Sequence, residues 1–74
     1  MKVEVLQIVK GIGYVAHMYP YYHVTDIVYG SDEIGDYFEL LLENGDSATF
    51  HTDGDKSVWA YAIVEEGRHH YEYN

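Results

Sequence analysis

The stretch HMYPYYH holds the residues best suited to chemistry, because His17 and His23 bracket three tyrosines. Histidines can bind a metal, and tyrosine rings can stack on bases or anchor a protein interface. A zinc site needs three or four converging ligands. Adjacent histidines such as His69 and His70 point to opposite faces of a strand, and no zinc-binding spacing occurs. The histidines therefore predict hydrogen-bonding aromatic side chains rather than a metal site.

A second candidate is HTDGDKS, in which Asp53 and Asp55 flank a glycine. A calcium loop needs oxygen ligands at five or six fixed positions and a glutamate at its end. Lys56 follows directly, and no glutamate stands at the required distance. The segment predicts an Asp-Gly turn without a metal.

Nucleophilic and cofactor chemistry find no better support in the sequence. The serines at positions 31, 47 and 57 lie outside any G-x-S-x-G turn. The GIG at 11–13 lacks the third glycine of a dinucleotide loop. A chain of 74 residues also has little room for an enclosed substrate pocket. We therefore expect no enzymatic activity and no cofactor.

The charge of the chain is its strongest signal. Thirteen acidic residues face four basic ones, which gives a formal net charge of −9 and an isoelectric point near 4.6. Such a surface repels nucleic acid and anionic membranes and attracts basic proteins. The alternative is that the charge only keeps the protein in solution. No apolar stretch is long enough for a membrane span, and the first residues lack a signal-peptide pattern, so we expect a cytoplasmic protein.

The elements that position these residues are predicted to be strands of a single domain, residues 1–74. Glycine and Asn-Gly or Asp-Gly pairs punctuate segments rich in β-branched and aromatic residues. The segments VEVLQIV, GYVAHMY and YHVTDIVYG predict the first three strands, with a polar loop after the third. Cysteine is absent, so no disulfide stabilises this small chain.

The clearest hairpin is DYFELLLENGDSATFH. A three-residue loop at 43–45 pairs Phe38 with Phe50 and Tyr37 with His51, which separates an apolar face from a mostly polar one. It also places Gly45 where such a turn needs a positive φ. A two-residue turn would mix the two faces. The sequence predicts the three-residue loop.

The segment from Lys56 onward allows two interpretations. Val58, Trp59, Ala62 and Ile63 fit a helix at about 56–66 that ends near Gly67, but two glutamates would then oppose the helix dipole. Two strands joined at 65–67 fit the β-forming residues better. The predicted fold is all-β, a small antiparallel sheet or barrel of five to six strands, with an α+β fold carrying one helix as the alternative. The run GYVAHMY…YFELLLENGDSATFH resembles the middle of an SH3-like barrel.

In an up-and-down meander, alternate loops lie at the same end. The loop at 32–36 and the loop at 53–55 would then surround Tyr37 with five acids, and the loops at 43–46 and 65–66 would lie at the opposite end with four. The tyrosines of HMYPYYH provide contact area for a partner, or Met18, Tyr21 and His23 line the core face of a strand. The predicted partner-binding residues are Asp32, Glu33, Asp36, Tyr37, Asp53, Asp55, Tyr19, Tyr21 and Tyr22.

These observations predict a non-enzymatic module that binds a basic protein, with a nucleic-acid-binding protein as the expected partner. In size and charge the chain resembles the small acidic DNA-mimic inhibitors that phages and mobile elements carry against restriction, CRISPR or repair enzymes. A globule of this length is about 29 Å wide and spans about eight phosphates of one DNA strand. The alternative is a structural or oligomerising β domain whose tyrosine-rich surface pairs with copies of itself, for example as a homodimer.

Overall fold

A computed structural model describes residues 1–16 and 21–64, and this part of the chain is all-β with no helix. It therefore contains no helix that could cross a membrane. The six strands are β1 (Lys2–Val9), β2 (Gly13–Ala16), β3 (Tyr22–Ser31), β4 (Asp36–Leu42), β5 (Ser47–His51) and β6 (Ser57–Val64). The predicted fold class is confirmed. The helical alternative at about 56–66 is wrong for the described residues 57–64, and the predicted hairpin at 65–67 lies outside the described residues.

The strands form two antiparallel layers. In the first sheet, β1 lies in the centre and pairs with β6 over its whole length and with β2 over residues 6–9. In the second sheet, β4 lies between β3 and β5. The start of β3 also pairs with the start of β1, through Lys2 with His23 and Val3 with Tyr22. One long strand thus joins the two sheets.

The sheets curl into a half-barrel because β3 changes direction where it passes between them. Its register shifts between Val24 and Asp26, and such a bulge bends a strand. On the opposite side, β5 and β6 approach each other, but no strand pairing joins them among the described residues. The described fold is therefore an open, curled sheet of 36 × 31 × 19 Å rather than a closed barrel.

The predicted up-and-down meander is wrong, because β6 pairs with β1 and not with β5. β1 buries Val3 and Val5 completely or nearly so, and a strand with such a face is most stable between two neighbours. The five-residue connection from His51 to Ser57 lets the chain cross to β1, while Phe50 of β5 and Trp59 of β6 remain in ring contact at 5.6 Å.

The core lies between the two sheets and is aromatic on one side. Phe38 stacks on Phe50 at 5.3 Å and meets Tyr61 edge-on at 4.9 Å. The hydroxyls of Tyr29 and Tyr61 hydrogen bond to each other, which links β3 to β6. The hydrogen bond to Tyr29 also raises the pKa of Tyr61. The buried set is Val3, Val5, Val24, Phe38 and Leu40.

Candidate protein-binding surface

The solvent side of the second sheet is a mostly polar surface, which we call the acidic face. Strand alternation sends Phe38 and Leu40 into the core and their neighbours outward. The cross-strand register then places the outward residues in three rows. The rows are Asp26, Leu41 and Ser47, then Val28, Glu39 and Thr49, and finally Gly30, Tyr37 and His51.

Tyr37 has a fixed position at one end of this face. Its ring lies over Gly30, so that a Cβ atom on Gly30 would come within 2.6 Å of the tyrosine Cζ. On the other side the ring meets His51 edge-on, with the centroids 5.7 Å apart. The predicted pairing of Tyr37 with His51 is confirmed. The absence of a side chain at Gly30 is thus what makes room for the phenol.

His51 is held in turn by Asp32 from the β3–β4 loop. Its Nε2 atom lies 3.0 Å from both carboxylate oxygens of Asp32. The backbone N–H groups of Ile34 and Gly35 donate to Oδ1 of the same carboxylate, at 2.9 and 3.2 Å. The hydrogen bond from His51 lowers the pKa of Asp32, and the backbone donors lower it further. Asp32 therefore joins a loop to β5 as a partly exposed carboxylate that stays ionised.

The β3–β4 loop and the β5–β6 loop meet beside Asp32 and His51. Thr52 donates its backbone N–H to the carbonyl oxygen of Asp36 at 2.9 Å, and a Cβ atom on Gly35 would lie 3.3 Å from that of Asp53. The structure therefore brings together predicted residues of both loops around Tyr37. This acidic end consists of Asp32, Glu33, Asp36, Asp53 and Asp55, of which all five are exposed.

The predicted tyrosines lie elsewhere. Tyr22 begins β3 and Tyr21 precedes it, at the opposite end of β4 from Asp36, and a strand of seven residues separates the two ends by about 23 Å. Tyr22 packs inward, edge-on to Phe50 at 5.9 Å, whereas Tyr21 is exposed with Lys2 Nζ 4.9 Å from its ring centre. The expectation that Tyr21 and His23 line the core face is therefore wrong, because Tyr22 takes that role. Tyr19 lies outside the described residues.

A shallow concavity of about 370 Å³ lies beside Tyr21 and Tyr22. It is lined by Tyr21, Tyr22, His23, Leu42, Glu43 and Asn44. The predicted partner-binding residues thus divide between two ends of the second sheet and do not form one site.

The serine and the histidine near the acidic end each hydrogen bond to an aspartate. Ser31 donates its hydroxyl to Asp36 Oδ1 at 2.8 Å instead of to the imidazole of His51, so these residues do not form a serine–histidine pair. Within residues 1–16 and 21–64, no three acidic or histidine side chains converge as metal ligands. The acidic end therefore presents negative charge beside the ring of Tyr37.

Charge is distributed unequally between the two sheets, a feature that the sequence reasoning missed. Residues 21–55, which form the second sheet and its loops, contain no lysine or arginine. Their acids are Asp26, Asp32, Glu33, Asp36, Glu39, Glu43, Asp46, Asp53 and Asp55. Among the described residues, the first sheet and its flanks have Lys2, Lys10 and Lys56 against Glu4. A count of charges by segment would have found the asymmetry, but only the sheet topology shows that it separates two layers.

Comparison with known protein families, curated proteins and solved structures finds no match for this chain.

Proposed function

We propose that this protein is a non-enzymatic interaction module whose acidic face and acidic end bind a basic protein surface. The observation that carries the proposal is the charge segregation, because nine acids and no lysine or arginine occupy the second sheet and its loops, where the N-terminal ammonium of Met1 lies 3.6 Å from Glu43. A one-sided negative potential accelerates association with a positive partner and orients it. An acidic residue set that served solubility alone would need no such separation.

Tyr37 supports this function as an anchor. Tyrosine is enriched at interface hot spots, and a ring that is already fixed loses less conformational entropy on binding. Gly30 and His51 fix the ring from two sides, and the adjacent carboxylates complement lysine or arginine on the partner. We expect a basic partner to place its contact over this end first.

We further propose that the partner is a nucleic-acid-binding protein whose DNA site the acidic face occupies, as in a cytoplasmic DNA-mimic inhibitor. Asp36 and Glu39 lie at the start and in the middle of β4, and Glu43 follows its last residue. This row spans about 23 Å, over which one DNA strand presents about seven phosphates. The row alone is sparser than a phosphate backbone, and the acids of the neighbouring strands and loops raise its density.

The test compares the loss of partner affinity when acids are neutralised at either end of the second sheet with the loss when one acid is neutralised on the first sheet. Proteins from a bacterial lysate are captured on the immobilised chain and released by increasing salt, and the affinity of each purified partner is measured for three neutralised variants. The variants are Asp32→Asn with Glu33→Gln and Asp36→Asn, then Asp53→Asn with Asp55→Asn, and finally Glu43→Gln with Asp46→Asn. Glu4→Gln on the first sheet is the matched control.

We expect the first two variants to lose more affinity and more salt dependence than the third, and Glu4→Gln to lose least. Duplex DNA that competes for the same partner would support the mimic. Equal small losses from every variant would mean that the acids serve solubility, because each exposed ion pair contributes at most about 1 kcal/mol.

A further inference from the structure

The outward side of the first sheet is apolar, although it faces away from the core. Val3 and Val5 point inward, so Leu6 and Ile8 point outward by alternation. On β6, Trp59 and Tyr61 pack against the core, which leaves the intervening positions outside. We call this surface the apolar face. Its residues are Leu6, Ile8, Tyr14, Val58, Ala60, Ala62 and Val64.

The register makes the apolar face continuous across three strands. Ile8 lies between Tyr14 on β2 and Val58 on β6, and Leu6 pairs with Ala60. Antiparallel sheets with one solvated face normally alternate polar residues on that side, as the second sheet does. Tyr14 is 59% exposed at the edge of the face. Contiguous apolar surface of this kind marks an interaction site.

The charge segregation indicates that a second copy of the chain can pack on the apolar face. Two copies of a chain with a net charge of −9 repel each other unless their acids stay apart. Among residues 1–16 and 21–64, Glu4 is the single acid on the apolar face, and Lys2 shares its strand and side. The remaining described acids belong to the second sheet, its loops or the turn before β6. Two copies can therefore meet through this face with their acidic faces directed outward.

We propose that the apolar face is the interface of a homodimer, in which two first sheets pack against each other across a two-fold axis. In such an arrangement both copies use the same surface patch, and an axis parallel to β1 places Lys2 and Glu4 of one copy near Glu4 and Lys2 of the other. The inference does not depend on the proposed function. If both hold, the dimer displays two acidic faces on opposite sides.

The size of the apolar face sets the expected affinity of the dimer. Two strands of eight residues and the four residues of β2, at about 4.8 Å spacing and about 3.3 Å per residue, give a plan area of about 300 Å² for each copy. An area of this size is typical of weak, transient interfaces. The dimer should therefore dissociate in the micromolar range, and salt should tighten it, because salt screens the repulsion between the two acidic faces. Binding of a basic partner should respond to salt in the opposite sense.

The test measures dimerisation of the full chain by sedimentation equilibrium over a range of protein and salt concentrations. Ala60→Lys places a charge at the centre of the face, where a long side chain can reach solvent in the monomer. We expect its dissociation constant to rise at least about tenfold, because dimerisation would bury an unpaired charge. Val28→Lys changes the net charge equally, but from an exposed valine on the acidic face, and should leave the dimer unchanged.

Circular dichroism at dilution checks that each variant is folded. If Ala60→Lys fails to fold, Tyr14→Lys tests the same face from its exposed edge. A full chain that stays monomeric at every concentration overturns the proposal and leaves the face to a different protein. A dimer that survives the variants of the apolar face but not Val28→Lys also overturns it, because the copies would then meet through the second sheet.

Discussion

The hydroxyl of Tyr37 lies where a side chain on Gly30 would begin, only 2.5 Å from an ideal Cβ position. Gly30 does not have a positive φ, so its backbone suits alanine and the constraint comes from the ring alone. We expect Gly30→Ala to displace the ring and to cost about 1–3 kcal/mol of unfolding free energy, as overpacking does. Urea unfolding measures the cost.

The same substitution should change sign when the ring is removed. In a Tyr37→Ala background, Gly30→Ala should stabilise the chain by about 0.5–1 kcal/mol, because glycine in a strand has more conformational entropy to lose. A cost that persists in that background would mean that Gly30 is required for a reason other than the ring.

Asp32 should make stability dependent on pH in the acid range. Its pKa is lowered by folding, so its charged form stabilises the native state above the ordinary value of 3.8, and the contribution disappears as pH falls through the folded value. Wild type should therefore lose stability relative to Asp32→Asn between about pH 5 and about pH 2. Asparagine can keep accepting the N–H groups of Ile34 and Gly35. A difference that stays constant with pH would contradict the assignment.

His51 should be the main cause of that shift. Replacing His51 by Ala removes the hydrogen bond to the carboxylate, so the pKa of Asp32 should rise toward its ordinary value. NMR titration of the Asp32 side-chain carboxyl measures it. Thr49→Ala, two residues away on β5, is the control and should leave the titration unaltered. An unchanged titration in His51→Ala would assign the shift to the backbone donors instead.

Two valines on β3 provide a matched test of the core. Val24 is 1% exposed between the sheets, and Val28 is 38% exposed on the acidic face. We expect Val24→Ala to cost about 2–3 kcal/mol, from two lost methyl groups and the cavity left behind. Val28→Ala should cost about 0.5 kcal/mol or less. Equal costs in thermal unfolding would contradict the inward bend of β3 at the bulge.

Gly45 isolates a purely conformational effect. Its φ is 96°, and a Cβ atom there would meet nothing within 4 Å. Gly45→Ala should therefore cost about 1–2 kcal/mol through backbone strain alone. Gly45→Asn should cost less, since asparagine tolerates this region. Comparable losses for the two variants, measured by urea unfolding, would show that the turn can relax.

The β4–β5 hairpin was predictable to the residue because its information is local. The period-two pattern allowed only one register with Phe38 and Leu40 on one face, and Gly45 supplied the required turn conformation. The meeting of the two acidic loops around Tyr37 followed from that register and from the β3–β4 hairpin. Each of these depends on neighbours in the chain.

What could not be predicted depends on residues far apart in sequence. Nothing near β6 indicates that it joins β1 instead of β5, its neighbour in the sequence. The pairing of His51 with Asp32 depends on the conformation of the β3–β4 loop, which brings Asp32 to the end of β5 across 19 residues of sequence. The inward position of Tyr22 follows from its pairing with Val3, which the separated strand patterns do not contain.

The pairing of β1 with β6 also governs the order in which the chain can acquire structure during synthesis. The second sheet is built from two successive hairpins and can form as soon as His51 has left the ribosome. β1 is made first but must wait for β6, since Lys2 pairs with Val64. Until then Val3 and Val5 lack one of their neighbours, and one edge of β1 stays unpaired. The last of the described strands to be synthesised is the one that covers this edge of the first.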